Sequence, residues 1–299
     1  MDVAGLVQFT LNALSLGSLY ALMALGMVMV YGVLRLVNLA YGELLMVAGY
    51  TLLVLGDGPL PWLAVAVIAI VVASGASLLT ERIAFRPVRS NSLSAMIITS
   101  FAVSTLLQNA ALLIVSPRPR AVRVPEILSE NITVGGVSIG VANVLTLVVS
   151  VGVLLALNLV LRRSTLGIAL RAASDDLVMT RLLGIRADRV IAMAFAISGL
   201  LAGVVGLFWI ARIGSVSPTI GAGPLLIALI AIVIGGMEGM TGALVGGYLL
   251  GVLTVGMETV LPQGLLDFRE AFTFAIVILV LLVRPEGIVR GRAAARRIG

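Results

Sequence analysis

The side chains that could do chemistry in this chain are carboxylates and arginines. The chain has neither histidine nor cysteine, and every one of its 20 basic residues is arginine. It therefore lacks the His and Cys ligands of most zinc sites and the thiols of disulfides or cysteine nucleophiles. Without lysine it can form no Schiff base, and it cannot supply the phosphate-binding lysine of a P-loop. We expect no cofactor or metal bound by this chain and no ATP hydrolysis through a P-loop.

Catalysis by the remaining groups would need carboxylate, serine or tyrosine chemistry. No two of the 14 acidic residues are spaced convincingly for general acid–base work. A membrane enzyme is therefore the weakest functional alternative, and we interpret the chain as not an enzyme.

The composition indicates what must position these side chains. The chain is 60% hydrophobic and 11% charged, with a mean hydropathy of +1.18, whereas soluble domains carry about 25% charge. It is therefore expected to be an integral membrane protein that crosses the bilayer several times. The net charge of +6 does not indicate nucleic acid as a partner, because the arginines lie in short loops between apolar runs.

Uncharged intervals of about 20 residues predict the membrane spans. They predict an all-α, polytopic bundle in one transmembrane domain covering 1–299, with eight full spans and one short segment broken by glycines. The full spans are 3–34, 36–56, 58–80, 90–117, 141–161, 190–211, 241–260 and 268–283, and the short segment is 224–237. Three of these intervals hold charges: 36–56 holds Glu43, 241–260 holds Glu258, and 268–283 holds Arg269 and Glu270 at its start.

The arginines predict the orientation. Most of them fall on one side of the predicted spans: Arg35, Arg82, Arg86, Arg89, six in 162–189 and five from Arg284 onward. By the positive-inside rule this side is cytoplasmic, which places the N-terminus outside and the C-terminus inside. The stretch 118–140 is then the largest external loop.

Residues 162–189, the arginine-rich segment, interrupt the apolar sequence with six arginines and three aspartates. Within it, Ser174 is predicted to cap a short helix over 175–183, with Asp175 and Asp176 in its first turn and Arg181 in its last. Gly184 is predicted to take the left-handed position after the helix. Two interpretations stay open: a coupling helix that enters a groove on a cytoplasmic ATPase, or an interfacial helix whose arginines contact anionic lipid.

A second motif, Asn38-Leu39-Ala40-Tyr41-Gly42-Glu43, opens the second predicted span. A carboxylate inside a membrane helix costs a few kcal/mol, about 2.5–3.5 on insertion scales, which favours a functional role. Glu43 and Asn38 would line a polar path or fix a bend at Gly42. The alternative is that Glu43 snorkels to the interface or bonds Arg35 or nearby backbone.

Glycines provide the third pattern. Three GxxxG pairs permit close helix packing, within or between subunits: Gly199/Gly203, Gly242/Gly246 and Gly247/Gly251. Gly235, Gly236 and Gly239 interrupt the short segment. Broken helices are tolerated at membrane depth where they line a cavity or are buried in protein, so this break is a candidate part of a translocation path.

Several stretches together carry a family resemblance. They are GSLYALMALGMVMVYGVLRLVNLAYGELLM at 17–46, ERIAFRPVRS at 81–90, LGIALRAASDDLVMTRLLGIRADRVIAMAFAISGLLAG at 166–203, SPTIGAGPLLIALIAIVIGG at 217–236, GALVGGYLLG at 242–251 and LVRPEGI at 282–288. In these stretches, which occur in the family's order and are distributed along nearly the whole chain, the sequence resembles the permease subunits of branched-chain amino acid ABC importers. That family also includes permeases for urea and short amides.

The resemblance implies an importer in a bacterial or archaeal cytoplasmic membrane. A second homologous permease, usually a different chain, completes the pore, two cytoplasmic ATPases hold ATP and Mg, and an extracytoplasmic binding protein delivers the substrate. It raises the coupling interpretation of the arginine-rich segment above the lipid one and implies alternating access. The residues expected at the ATPase contact are Arg171, Ala172, Asp175, Asp176, Arg181, Leu183, Gly184 and Ile185. Those expected along the path or its gate are Asn38, Tyr41, Gly42, Glu43, Gly235, Gly236 and Glu238.

Two departures from the family pattern bear on the cargo. Tyr41 stands where relatives often have His, and Glu238, Gly239 and Thr241 stand where they more often have Gly, Ser and Pro. Substrate preference or gating is therefore open, with urea, short amides or other small solutes as alternatives. A stand-alone secondary transporter or channel is the other class, favoured by Glu43 and the broken segment.

Overall fold

The computed structural model of the chain describes residues 3–89, 92–134, 137–237, 239–285 and 287–289. The described residues are almost entirely helical, as the composition predicts. The long helices are α1 Val3–Leu34, α2 Tyr41–Gly56, α3 Trp62–Thr80, α5 Leu93–Ile114, α7 Val141–Arg163, α8 Thr165–Asp175, α10 Ala187–Ile213, α11 Ala222–Gly235, α12 Met240–Val260 and α13 Arg269–Val283.

Short elements join them. A π-helical segment, Glu81–Phe85, and a single turn, α4 Arg86–Val88, extend α3, and a 3₁₀ segment, Gln263–Phe268, precedes α13. Two more short helices are α6 Glu126–Ser129 and α9 Leu177–Leu182. The strands β1 Arg120–Ala121 and β4 Ser215–Val216 pair antiparallel, and β2 Asn131–Val134 pairs antiparallel with β3 Val137–Gly140.

Six helical stretches are long and apolar enough to cross a bilayer: Ala4–Leu34, Trp62–Val88, Leu93–Ile114, Val141–Arg163, Ala187–Ile213 and Met240–Val260. Two of the eight predicted full spans are shorter helices, because α2 has 16 residues and α13 has 15. The second predicted span loses its first turn because α1 ends at Leu34 and Arg35 adopts a left-handed φ of +53°. The last, predicted over 268–283, matches α13 except for Phe268, which ends the 3₁₀ segment.

The described chain divides into two compact units. The first comprises residues up to Val28, Glu126–Gly152 and Leu226 onward; the second comprises Met29–Pro125 and Val153–Leu225.

The second unit is built on α10, which packs against α2 and α3. Its core includes Ala48, Ala69, Ala73 and Leu207. A Cβ at Gly199 would lie 2.8 Å from the carbonyl oxygen of Ala73, so this glycine of the first predicted pair allows α10 to lie directly on α3. The first GxxxG pair therefore serves packing within the chain.

The two ends of this unit hold different contacts. At one end Arg123 pairs with Asp57 at 3.2 Å and β1 pairs with β4. At the other end the Nη2 of Arg35 donates to the carbonyl oxygen of Ser174 at 2.9 Å. Which of these ends faces the cytoplasm stays a prediction.

In the first unit the remaining glycine pairs also serve packing within the chain. Cβ atoms at Gly247 and Gly251 would clash with the backbone of Ala21 and Gly17, so α12 lies directly on α1. On its other side Gly246 faces the backbone of Ala231 in α11.

Candidate functional site

The arginine-rich segment forms two helices, α8 and α9, where one was predicted. Ser164 caps α8 by accepting from the backbone N–H of Gly167, and Asp176 caps α9 by accepting from Val178 and Met179 at 2.8 and 2.9 Å. The predicted helix over 175–183 is therefore wrong at its start. Ser174 is not its cap, because the hydroxyl of Ser174 donates to the carbonyl oxygen of Arg171 within α8.

The predicted end of this helix is confirmed. Arg181 lies in the last turn of α9, and Gly184 has a φ of +82°. The N–H of Gly184 donates to Arg181 and that of Ile185 donates to Thr180, which is the paired hydrogen bonding of a Schellman motif. Because a left-handed residue costs an L side chain about 1–2 kcal/mol, glycine here sets the direction in which the chain enters α10.

One face of α9 is apolar and uncovered. Val178 is 68% exposed, Leu182 75% and Leu183 73%, whereas Thr180 on the opposite face is buried. Polar residues surround this face, with Asp175 and Arg181 both exposed. An exposed apolar patch with a polar rim is typical of a protein–protein or membrane contact.

The two helices are fastened to the unit by backbone contacts. Arg171 donates from Nη1 to the carbonyl oxygen of Leu161, and Arg35 bonds the carbonyl oxygen of Ser174. The carbonyl oxygen of Ala172 accepts from Asp176 at 3.0 Å, which closes the corner between α8 and α9. Arg171 and Ala172 therefore shape the segment, while Asp175 stays exposed at its corner.

Four charged residues, the ion-pair cluster, connect the R-P-V-R stretch to the start of α10. Arg89 donates to Asp188 and lies 3.4 Å from Glu81, and Arg86 pairs with Asp188 at 2.8 Å. Both Arg89 and Glu81 are largely buried. Sequence reasoning did not find this cluster, although ERIAFRPVR already held three of its four charges.

Glu43 is buried within the second unit, 1% exposed. Its Oε1 accepts from the hydroxyl of Ser104 at 3.1 Å and from the side-chain amide of Gln108 at 2.6 Å, and these three residues are the intramembrane polar cluster. Within the described residues its Oε2 has no hydrogen-bond partner. Snorkelling and a bond to Arg35 or nearby backbone, the alternatives for Glu43, do not describe its environment within the described residues.

The residues before Glu43 shape the start of α2. Asn38 is buried, and its Oδ1 accepts from the N–H of Ala40 at 3.1 Å in the loop between α1 and α2. Gly42 lies against Gly221, since a Cβ at either would overlap the backbone of the other. The chain therefore bends at 36–40 and not at Gly42, which is needed for close approach. Tyr41 is fully buried.

The predicted break near Gly235 is confirmed as a backbone feature of the first unit. Helix α11 ends at Gly235, Gly236 has a φ of +104°, and α12 starts at Met240. The end of α11 is completed by the tail, where Ile288 and Val289 donate to the carbonyl oxygens of Ile234 and Gly235. Glu238 lies outside the described residues.

The candidate path residues thus belong to both units. Asn38, Tyr41, Gly42 and Glu43 are in the second, and Gly235 and Gly236 are in the first. Among the described residues, no group of three or more acidic, His or Cys side chains is placed to hold a metal ion.

Comparison with known proteins gives a consistent result over the full length of the chain. Residues 9–281 match the family described as branched-chain amino acid transport system / permease component. The chain is 36% identical over 306 residues to the high-affinity branched-chain amino acid transport system permease protein BraD of Pseudomonas aeruginosa, covering 98% of each chain. It is 35% identical over 307 residues to LivH, the corresponding permease protein of Escherichia coli K12, covering 98% of this chain and 97% of LivH. No solved structure matches the chain.

Proposed function

Because the chain belongs to the branched-chain amino acid transport permease family, we propose that it is the transmembrane permease subunit of an ABC importer for branched-chain or related amino acids. BraD and LivH, each named as a high-affinity branched-chain amino acid permease, are about one-third identical over nearly the whole chain. The substrate class is carried over from those names and from the family.

The single observation that supports the coupling role is the uncovered apolar face of α9. Val178, Leu182 and Leu183 are exposed on a helix whose two ends are both capped, by Asp176 and by Gly184. A short rigid helix with three large exposed apolar side chains is more stable when these side chains are buried in a groove on a soluble partner than when they face water. The partner is a cytoplasmic ATPase that binds ATP and Mg.

The remaining parts of the assembly follow from this proposal. Two permease domains, this chain and a second homologous one, form the pore in the cytoplasmic membrane, with the arginine-rich segment on the cytoplasmic side and 118–140 outside. Two ATPases close on ATP and push on α9, and an extracytoplasmic binding protein supplies the substrate. The spans then alternate between outward and inward access.

Glu43 is proposed to line or gate the substrate path. A buried carboxylate with one free oxygen, within the described residues, is costly unless a function retains it. In the other access state the same oxygen would be available to a substrate ammonium or a water.

The proposal is tested by co-purification. The detergent-solubilised chain, expressed with its neighbouring transport genes, is isolated and its companions are identified and assayed for ATPase activity. We expect a nucleotide-binding subunit that is lost in Gly184→Pro, because proline cannot adopt a φ of +82°. Gly214→Pro is the matched control: Gly214 also has a positive φ, of +71°, but follows α10 at the opposite end of the unit from α9.

Two results would contradict the proposal. One is a Gly184→Pro chain that inserts normally and still carries an active ATPase. The other is solute transport by the purified chain alone in liposomes, which would establish the stand-alone carrier.

A further inference from the structure

A cleft of about 700 Å³ lies in the second unit beside the ion-pair cluster. It is bounded by the end of α3 with the π-helical segment on one side and by the α9–α10 corner with the first turns of α10 on the other. Its lining carries five arginines against two carboxylates: Arg82, Arg86, Arg181, Arg186 and Arg189 against Glu81 and Asp188. We call it the cationic cleft.

The positive charge of the cationic cleft is not neutralised from within. Glu81 and Asp188 are already engaged by Arg89 and Arg86. Arg82, Arg181, Arg186 and Arg189 form no ion pair within the part of the chain that the structure describes. Four such guanidinium groups around one concave surface are suited to a phosphate, which they bind through paired, charge-assisted hydrogen bonds.

The inner end of the cationic cleft is apolar. Leu78 and Ala192 line it, and both belong to helices long enough to span the bilayer. Apolar side chains continue along the outside of α3 and the π-helical segment, where Leu79 is 58% exposed and Ile83 is 71% exposed. A ligand that fits this gradient has an anionic phosphate head and an apolar body.

We propose that the cationic cleft binds the phosphate headgroup of an anionic phospholipid of the cytoplasmic leaflet, with its acyl chains along Leu79 and Ile83. The inference relies on the orientation within the proposed function, which puts the arginines at the cytoplasmic surface. Basic pockets at that surface between membrane helices are suited to acidic headgroups. Bound lipid would hold the α9–α10 corner through Arg181 and Ile185, two of the residues expected at the ATPase contact, while leaving Val178 and Leu182, which do not line the cleft, free for the ATPase.

An acidic surface of the ATPase is the competing occupant. It is disfavoured because the apolar lining at Leu78 and Ala192 continues onto the exposed Leu79 and Ile83, which suits acyl chains better than an acidic protein surface.

The test uses the full chain purified in a neutral detergent. Its thermal midpoint is measured against increasing dioctanoyl phosphatidylglycerol, dioctanoyl phosphatidylcholine and inorganic phosphate. We expect saturable stabilisation by phosphatidylglycerol alone. The triple variant Arg181→Gln, Arg186→Gln, Arg189→Gln should lose roughly 100-fold in apparent affinity, since each arginine near an anionic surface contributes about 1 kcal/mol. Arg162→Gln with Arg163→Gln, two exposed arginines that do not line the cleft, is the matched control and should bind as the unchanged chain does.

A second measurement needs no variant. Photoactivatable phosphatidylglycerol should label peptides covering 78–89 and 181–192 of the unchanged chain. Equal stabilisation by phosphatidylcholine, an unchanged response in a folded triple variant, or labelling confined to other helices would overturn the proposal. An equal response to inorganic phosphate would assign the cleft to a free anion and also overturn it. None of these outcomes involves ATP or transport, so each would leave the permease function standing.

Discussion

Glu43 is the residue whose environment differs most from what its position in the sequence indicated. The sequence placed a carboxylate near the start of a span, where snorkelling was a reasonable alternative. The structure buries it and supplies partners from α5, Ser104 and Gln108, that lie 61 and 65 residues away along the chain. Hydropathy cannot reveal such a pairing, because serine and glutamine in an apolar helix carry no sign of what they face.

Replacing Glu43 by Gln should reduce transport while leaving insertion and expression normal. Glutamine preserves the volume and can still accept from Ser104 and Gln108, but it removes the charge. Substrate uptake in whole cells and the amount of membrane-inserted chain are measured together. Unchanged uptake at equal expression would assign Glu43 to packing alone.

Gln108→Leu provides the complementary change. It leaves Glu43 with one fewer donor, and a buried carboxylate that loses a hydrogen bond costs about 1–3 kcal/mol, so the thermal midpoint should fall. Asn109→Leu is the matched control on the same helix, since Asn109 is exposed and bonds only the backbone oxygen of Thr105. Equal shifts in the two variants would contradict the assigned contact.

At the scale of elements, the arginine-rich segment shows which local signals could be read from the sequence. The Schellman end at Gly184 was predictable because glycine after an arginine-bearing last turn is a strong local signal. The start was not, because Ser174, Asp175 and Asp176 are all good caps and only the corner between α8 and α9 selects among them. Likewise, α1 ends at Leu34 and Arg35 adopts a positive φ, although neither residue is glycine or proline.

The two adjacent aspartates should therefore behave differently. Asp176→Ala removes the cap of α9, worth about 0.5–2 kcal/mol, and should speed hydrogen exchange at the amides of Val178 and Met179. Asp175→Ala, at an exposed position that caps nothing, should leave both amides unchanged. Faster exchange in Asp175→Ala, with no effect of Asp176→Ala, would contradict the assignment of Asp176 as the cap of α9.

The ion-pair cluster should transmit movement of the α9–α10 corner to α3. Arg89 bridges Glu81 at the end of α3 and Asp188 at the start of α10, and it is largely buried. Arg89→Ala should keep most ATPase activity of the assembled importer and lose most transport per ATP hydrolysed. Arg123→Ala is the control, because Arg123 forms an exposed ion pair with Asp57. An exposed ion pair contributes about 0–1 kcal/mol, so this change should alter neither ATPase activity nor transport per ATP hydrolysed. A parallel fall of ATPase and transport in Arg89→Ala would indicate lost folding rather than lost transmission.

At the scale of the whole molecule, composition and arginine placement predicted the class of fold, and six stretches of spanning length support it. The GxxxG pairs are packing contacts inside the chain, which is one of the two interpretations that the sequence left open, packing within or between subunits. The count of eight full spans stays a prediction, because an uncharged interval reports transfer to lipid and not the continuity of a helix, and α2 and α13 are shorter than the other six. The tail residues Ile288 and Val289, whose N–H groups complete the end of α11, left no signal of their own in the sequence.

The central claim is that the exposed face of α9 contacts a cytoplasmic ATPase, and cysteine cross-linking tests it most directly. The chain has no native cysteine, so Leu182→Cys introduces a single reactive thiol on that face. A short heterobifunctional cross-linker applied to membranes containing the assembled transporter should join Leu182→Cys to the nucleotide-binding subunit. Leu113→Cys, also exposed but on α5, should yield no such product. A Leu182→Cys chain that transports normally and never cross-links to that subunit would contradict the account.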